Sequence, residues 1–580
     1  MWKIAHITPV YKRNGPKNDK SNFRPISILP TLSKVCESVV HERLLSHCTR
    51  NNIISERQAA YLKGDSTMSQ LLYLEHQIRL SWGKSQITQA AFLDISAAFD
   101  KVWHRGLLAK LDQIGVDGTL LNLFKSYLDN RKQCVIVEGT KSSLTDIKAG
   151  VPQGSRLGPL LFIIFINDII TDIESEILIF ADDTTLLASG LDPAETSAQL
   201  NRDLEKISQW AAKWKVSFNA KKSRDMIFST KILNNSPPII FNGVLVERVN
   251  LHKHLGVIFK SNLCWSTQIH EICIKANRKL SVLKSVKQLN RKTLDLLYKL
   301  TIRSVLDYAL PLYGNNLKQT ELSRLENLQY RSAKVVTHAL HFTSKEKLDK
   351  ELGWETIKDR IKFLGLCLFH KIHICESRPL VRKCLTKLDW ERKQFLRSRG
   401  GYLPYPNYNN KFQNSFFPLM SKFWNNLPTS TKNKNLFDFK DQLKIDLKPK
   451  RHKHFAIGPK ESNSLLTRFR TGRTDLNLNK FTIGQTDNPS CLCHANSESS
   501  QHFMLDCFLY SVERQKLFNL VEYLVPKFTN CTKKLKYEIL TRGIDIDNPE
   551  FYHTNIRISL AVQSFILSTK RFIICKTSPP

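Results

Sequence analysis

Between Ile177 and Ala188 the chain runs apolar, acidic, apolar: Ile177–Phe180, then Ala181-Asp182-Asp183-Thr184, then Leu186–Ala188. Two short apolar runs this close together leave room only for a tight turn. The segment is therefore expected to be a β-hairpin with adjacent carboxylates at its tip. Side by side and unpaired, those acids repel one another unless a cation lies between them. An acidic turn is common by itself, but a second apolar strand, Ala90–Leu93, also leads straight into an acid, Asp94. Carboxylates held at the ends of rigid strands are what hard divalent cations need. Two such ions about 3.5–4 Å apart hold the attacking and leaving oxygens of a phosphoryl transfer and neutralise its developing charge.

The surrounding pattern is mixed. Strand-like runs (QAAFLDIS, QCVIVEG, ILIFADDTTLLAS) alternate with helical stretches in the first third, which predicts an α/β or α+β core. One helix is well marked: Asp192 as cap, Pro193 at the first helical position, Glu195 completing a capping box. Behind it Leu200, Leu204, Ile207, Ala211 and Trp214 recur at helical spacing and form one buried stripe. From about 266 to 340 the pattern is helical throughout. Ile269, Ile272, Ala276, Leu280 and Leu283 make an apolar face, and Lys275, Arg278, Lys279, Lys284 and Lys287 lie largely around it. Such a basic helix suits gripping a duplex backbone, and reads equally as a solvated face. The run KPKRHKH, Lys448 to His454, either touches nucleic acid or serves as a linker.

Lys and Arg number 87 against 52 Asp and Glu, a formal charge of +35 over 580 residues. An excess this large favours a polyanionic partner, since phosphate contacts supply most non-specific nucleic-acid affinity. The 13 cysteines follow no disulfide framework, and no charged-then-apolar leader opens the chain, so a reduced, intracellular protein is expected. The longest apolar run, Pro159 to Ile170, is too short for a membrane span and is broken by Asn167 and Asp168. No membrane partner is expected.

Three segments in register, LDISAAFDKVWH (93–104), AGVPQGSRLGPLLFIIFIND (149–168) and IFADDTTLLAS (179–189), resemble the palm motifs of non-LTR, LINE-type retrotransposon reverse transcriptases, nearest to the jockey-like lineages. Residues 7–44 resemble the finger motifs of the same family. The resemblance implies RNA-directed DNA synthesis with two Mg²⁺ ions held by Asp94, Asp182 and Asp183. It makes Phe99 a steric gate that selects deoxynucleotides, although Phe99 also reads as a plain core residue. Gln153 and Gly154 would lie against the incoming nucleotide and template, with Gly154 permitting close backbone approach. Arg24 would hold the triphosphate. Lys12 is a second candidate there, or simply a basic strand end. Either Lys221 or Lys222 would protonate the departing pyrophosphate. LHKHLGVIFKSNLCW (251–265) resembles the primer-grip hairpin. Asp100 and Asp168 read as structural, and Arg156 as tolerated variation.

Near the C-terminus, Cys491, Cys493, His502 and Cys507 can supply a closed tetrahedral Zn²⁺ site, with His494 a spare ligand; ordinary buried thiols are the alternative. The surrounding sequence resembles the zinc-binding tail of the same elements, and 352–372 and 415–428 resemble their connector.

The expected fold is α+β, a right-hand polymerase. It comprises fingers (1–85), a palm with an antiparallel sheet (86–262), a helical thumb (263–345), a helical connector (346–460) and a zinc-knuckle-like region (461–580). RNA template, DNA primer or target, and dNTPs are the implied partners, with the nucleus as the place of action. The upstream endonuclease of such elements is missing from this sequence, which suggests a truncated copy or a partial gene model. No ribonuclease H pattern follows the thumb. A catalytically inactive, domesticated RNA-binding protein with the same fold is the rival reading. A group II intron maturase is a second rival, but its basic helix set and nuclease-type tail are not found.

Overall fold

The computed structural model describes residues 2–12, 15–231, 236–374, 379–386, 408–447, 449 and 452–572. Part of the basic run KPKRHKH (Lys448, Lys450 and Arg451) and residues 387–407 lie outside the described residues. The chain divides into two compact units. One comprises Met1–Trp265 with Leu368–Leu427, the other Ser266–Cys367 with Pro428–Pro580. The stretch 346–460 is thus shared between them. No described helix is long and apolar enough to cross a membrane.

The first unit contains strands β1 (Ile4–Tyr11), β2 (Phe23–Ile28), β3 (Ile87–Asp94), β4 (Lys132–Val137), β5 (Glu176–Phe180) and β6 (Asp183–Gly190). Strands β7 (Arg224–Phe228) and β8 (Glu247–Arg248) follow, then the hairpin β9 (Leu251–His254) and β10 (Val257–Lys260). They form an α+β fold around a five-stranded sheet of order β8-β7-β3-β6-β5, antiparallel except for the β8–β7 pair. A second sheet pairs β1 antiparallel with β2 and parallel with β4.

β3 is central and covered on both faces; every residue from Ile87 to Leu93 is buried. The helix Gly158–Ile166 is likewise buried nearly all round, which is why its sequence reads as a continuous apolar run. The helix Pro193–Trp214 packs its predicted stripe inward, all five residues at 7% exposure or less. Its cap differs from expectation: Asp192 accepts from the amide of Ala194 (2.8 Å), and the reciprocal bond from Glu195 is not formed. Its first turn is tied to the sheet instead. The buried Gln89 of β3 accepts from Thr196 and Ser197 and donates to Asp225 of β7, and Arg248 closes the network on Asp225 at 2.6 Å.

The second unit is helical. Ser266–Ser285 buries Ile269, Ile272, Ala276, Leu280 and Leu283 and leaves Lys275, Arg278, Lys279 and Lys284 exposed, as is Lys287 just beyond it. Farther on, Lys460–Thr471, Ser511–Leu524, Lys533–Arg542 and Tyr552–Ser568 surround a core of Leu466, Phe469, Phe503, Val521, Ile558 and Val562. A buried ionic cluster ties its segments together. Glu351 accepts from Arg291 (2.7 Å) and Arg470 (2.7 Å), and both guanidinium groups also donate to the carbonyl of Phe455.

Candidate active site

The acidic hairpin is a two-residue connection. β5 and β6 pair from Glu176↔Leu187 to Phe180↔Asp183, so only Ala181 and Asp182 turn the chain. Ala181 takes a left-handed backbone (φ 55°), uncommon for a residue with a side chain. Its amide is held by the buried side chain of Gln58, whose Oε1 also accepts from Ala60. Residues 57–59 meanwhile bond the backbone of Ile179, closing the outer edge of β5.

β3 and β6 then fix the register Asp94↔Asp183. Opposed residues of an antiparallel pair have Cα atoms about 4.5–5.5 Å apart, so the two carboxylates leave neighbouring strand ends with Asp182 beside them. Displacement of water by the surrounding chain, reinforced by the charges of Asp182 and Asp94, pushes Asp183 up to about 6. Asp182 is raised by the same desolvation and by Asp94, against an opposing pull from Arg24. Three acids crowded together with one distant-strand arginine near them form a site short of positive charge. Oxygen donors of this kind fit Mg²⁺.

Around the acids, the other predicted residues fall into two groups. Arg24 on β2 lies within electrostatic reach of Asp182. Phe99 stacks on Phe162, ring centroids 4.7 Å apart. Gln153 donates to Asp100 (3.3 Å), and its carbonyl accepts from the amide of Ser27 on β2 (2.7 Å). Gly154 has φ +122° and approaches so closely that a Cβ there would sit 2.5 Å from the Ser27 carbonyl oxygen, which is why the position takes glycine. Val151 and Gly150 bond the carbonyls of Phe99 and Val102, docking this loop against the Phe99 turn. Arg156 spends its amide on Glu37 (2.7 Å) while its side chain is exposed.

Lys12 donates to the carbonyl of Ser21 and acts electrostatically on Asp100, away from the three acids' immediate partners. Lys221 and Lys222 are both exposed on the turn whose Asn219 amide bonds the Asp94 carbonyl. Asp168 accepts from Lys110 and from the Trp210 indole (2.9 Å) in a structural cluster. The expected grip hairpin, β9–β10, turns through Leu255 and Gly256, both at positive φ.

Sequence reasoning missed Tyr61. It has φ 58°, is half exposed, packs edge-on against Phe99 (6.3 Å), and feels the charge of Asp182. Nothing in its local sequence distinguishes it from a loop tyrosine. Gln58, beneath the acidic turn, was missed for the same reason.

In the second unit, the ligand atoms of Cys491, Cys493, His502 and Cys507 all lie within 4.8 Å of one another. The Cys491 and Cys507 sulfurs are 3.7 Å apart, near the about 3.8 Å edge that a tetrahedron with 2.3 Å Zn–S bonds requires. His494 is not one of the group. It forms the left-handed turn (φ 66°) that brings its amide onto the Cys491 carbonyl and lets the tight Cys-x-Cys pair converge.

Residues 15–270, which carry the three acids, match the reverse transcriptase (RNA-dependent DNA polymerase) family. This part of the chain is a reverse-transcriptase domain. Curated proteins similar to it are polymerases of mobile elements. The chain is 29% identical over 370 residues to the probable RNA-directed DNA polymerase from transposon X-element of Drosophila melanogaster, covering 62% of this chain and 40% of that one. It is 28% identical over 397 residues to the RNA-directed DNA polymerase from mobile element jockey of the same fly, covering 66% and 43%. The chain thus spans about two fifths of the length of these curated relatives. Among solved structures it resembles apo telomerase from Candida tropicalis, at 14% identity, 68% coverage of each chain and a TM-score of 0.34.

Proposed function

We propose that the chain is an RNA-directed DNA polymerase: the primer 3′-hydroxyl attacks the α-phosphate of a deoxynucleotide chosen by an RNA template, and pyrophosphate leaves. The observation that carries the reading is the register Asp94↔Asp183 with Asp182 in the adjoining turn, three carboxylates crowded at one end of a rigid sheet.

Asp94, Asp182 and Asp183 would hold two Mg²⁺ ions. Bound there, such ions neutralise charge on the attacking and leaving oxygens and lower the pKa of the hydroxyl. The chain's own residues do the rest. Arg24, close to Asp182 in electrostatic terms, receives the triphosphate with a planar fork suited to phosphate. Phe99, backed by Phe162, walls the sugar site so that a 2′-hydroxyl clashes with the ring. The Val-Pro-Gln-Gly loop, bonded to β2 and to the Phe99 turn, supports the templating pair through Gln153 and Gly154. One of Lys221 and Lys222 supplies the proton to pyrophosphate, and Lys12 is a secondary phosphate contact.

In the same reading residues 1–85 act as fingers, 86–262 as palm and 263–345 as thumb. The exposed lysines of Ser266–Ser285 face a duplex backbone, and β9–β10 grips the primer. Residues 346–460 act as a connector. The primer is a nicked chromosomal end, as befits a mobile element, which sets the work in the nucleus. Cys491, Cys493, His502 and Cys507 hold a Zn²⁺ that braces the C-terminal helices.

The test gives purified protein a DNA primer annealed to an RNA template, with dNTPs and Mg²⁺. Complementary DNA is expected. Tight binding of template–primer without nucleotide addition would favour the inactive RNA-binding protein instead.

A further inference from the structure

Arg131 stands just before β4 and is only 2% exposed. One edge of its guanidinium is accounted for: Nη1 donates to the Tyr127 carbonyl (3.2 Å), and the group lies 4.8 Å from the Tyr127 ring centre. The other edge is not. Nε and Nη2 are both buried and neither has a hydrogen-bond partner. Those two nitrogens form the side-on fork that grips planar or tetrahedral oxyanions by two parallel bonds. Burying an unsatisfied charged donor is costly, so a fork left open inside a fold calls for an occupant.

Arg131 lines a cavity of about 340 Å³ whose walls include Ser27, Asp100, Gln133, Gly150 and Gln153. Asp100, an acid on this wall, is engaged by Gln153 rather than by Arg131. Gln153 and Gly150 belong to the loop that bonds β2 and the Phe99 turn. None of Asp94, Asp182 and Asp183 lines the cavity, whereas a triphosphate must reach those acids.

We infer that Arg131 and this cavity form a phosphate site that holds one backbone phosphate of the template strand. The inference rests on the polymerase reading for the identity of the strand, and the incoming nucleotide offers the same chemistry, a phosphate for an arginine fork. The experiment separates the two sources. Full-length Arg131→Met and Arg131→Lys are compared with the unaltered chain in fluorescence anisotropy with an RNA template–DNA primer, without dNTP, across a KCl series. The KM for dNTP is measured alongside, and thermal melting checks the fold.

Arg131→Met is expected to bind template–primer about tenfold more weakly, with a salt slope shallower by about one, because one phosphate contact is gone. It should melt no lower than the unaltered chain, since it loses a half-unpaired buried charge. Arg131→Lys keeps the charge but not the fork, so it should bind about threefold more weakly with the slope retained. The dNTP KM should not move. Unchanged template affinity in either variant overturns the site, and so does a raised dNTP KM with template affinity intact. Should Arg131→Met fail to fold, Arg131→Lys decides alone. The outcomes stay distinct from those of the polymerase reading. Loss of binding in a chain that extends no primer removes that reading and keeps the site; full extension with unmoved binding does the reverse.

Discussion

The two units handle buried charge in opposite ways. In the second, Glu351 is enclosed, yet Arg470 and Arg291 bond it on both sides and hold its carboxyl below the usual range despite a desolvation that alone would raise it. In the first, Asp94, Asp182 and Asp183 crowd one sheet end with mutual repulsion, and Asp183 is raised to about 6. A paired cluster stabilises the fold; an unpaired one is tolerated only where a ligand completes it. The acidic turn is also where the backbone is strained, at Ala181, and where a buried glutamine is needed to hold it.

The comparison breaks most visibly under substitution. Glu351→Ala removes the counter-charge from two buried guanidinium groups and should destabilise the second unit by about 3–5 kcal/mol, measured by denaturant unfolding. Asp182→Ala removes a charge that Arg24 offsets only in part. It should leave the melting temperature unchanged or raised, while primer extension falls by about 10²–10³-fold. A large loss of stability in Asp182→Ala would erase the distinction between the clusters.

Phe99→Val tests the wall beside the acids. Incorporation of ribonucleotides relative to deoxynucleotides should rise about 10- to 100-fold in single-nucleotide extension. Stripping zinc from the Cys491 group with a strong chelator should lower the melting temperature by several degrees, whereas Cys531→Ser, whose thiol lies outside the cluster, should by itself leave it nearly unchanged.

The smallest effect is in pH. Asp183 titrates near 6 in the folded chain, above its usual value, so the folded chain holds that proton more tightly than the unfolded one. The resulting stabilisation is complete at low pH, below the unfolded value, and is lost as pH rises through about 6. Metal-free protein should therefore gain stability between pH 7 and pH 5 from this group. Asp183→Asn, and Mg²⁺ added at pH 7, should each shrink that gain in a thermal-shift series.

The sequence made the acidic hairpin and the strand ending in Asp94 legible because strand pattern, turn length and acid position coincide within a dozen residues. The stripe of Pro193–Trp214 was legible for the same local reason. What it did not reveal depends on contacts across long separations. Gln58 under Ala181, Tyr61 against Phe99 and Arg131 beside Gln153 each meet partners tens to more than a hundred residues away, and no local pattern marks them. The missing Glu195 bond is instructive too. A capping box was expected from spacing, but Gln89, buried below, ties down Thr196 and Ser197 and the turn is held by the sheet instead. His494 likewise looked like a ligand by spacing and serves as a turn.

Direct counting of Mn²⁺ bound by the full chain, by electron paramagnetic resonance, puts the acid cluster to the sharpest test. The unaltered protein should bind two ions close enough to couple magnetically, and Asp94→Asn, on a different strand from the other two acids, should abolish the coupled pair. Equal Mn²⁺ binding by the unaltered chain and by Asp94→Asn would contradict a shared site.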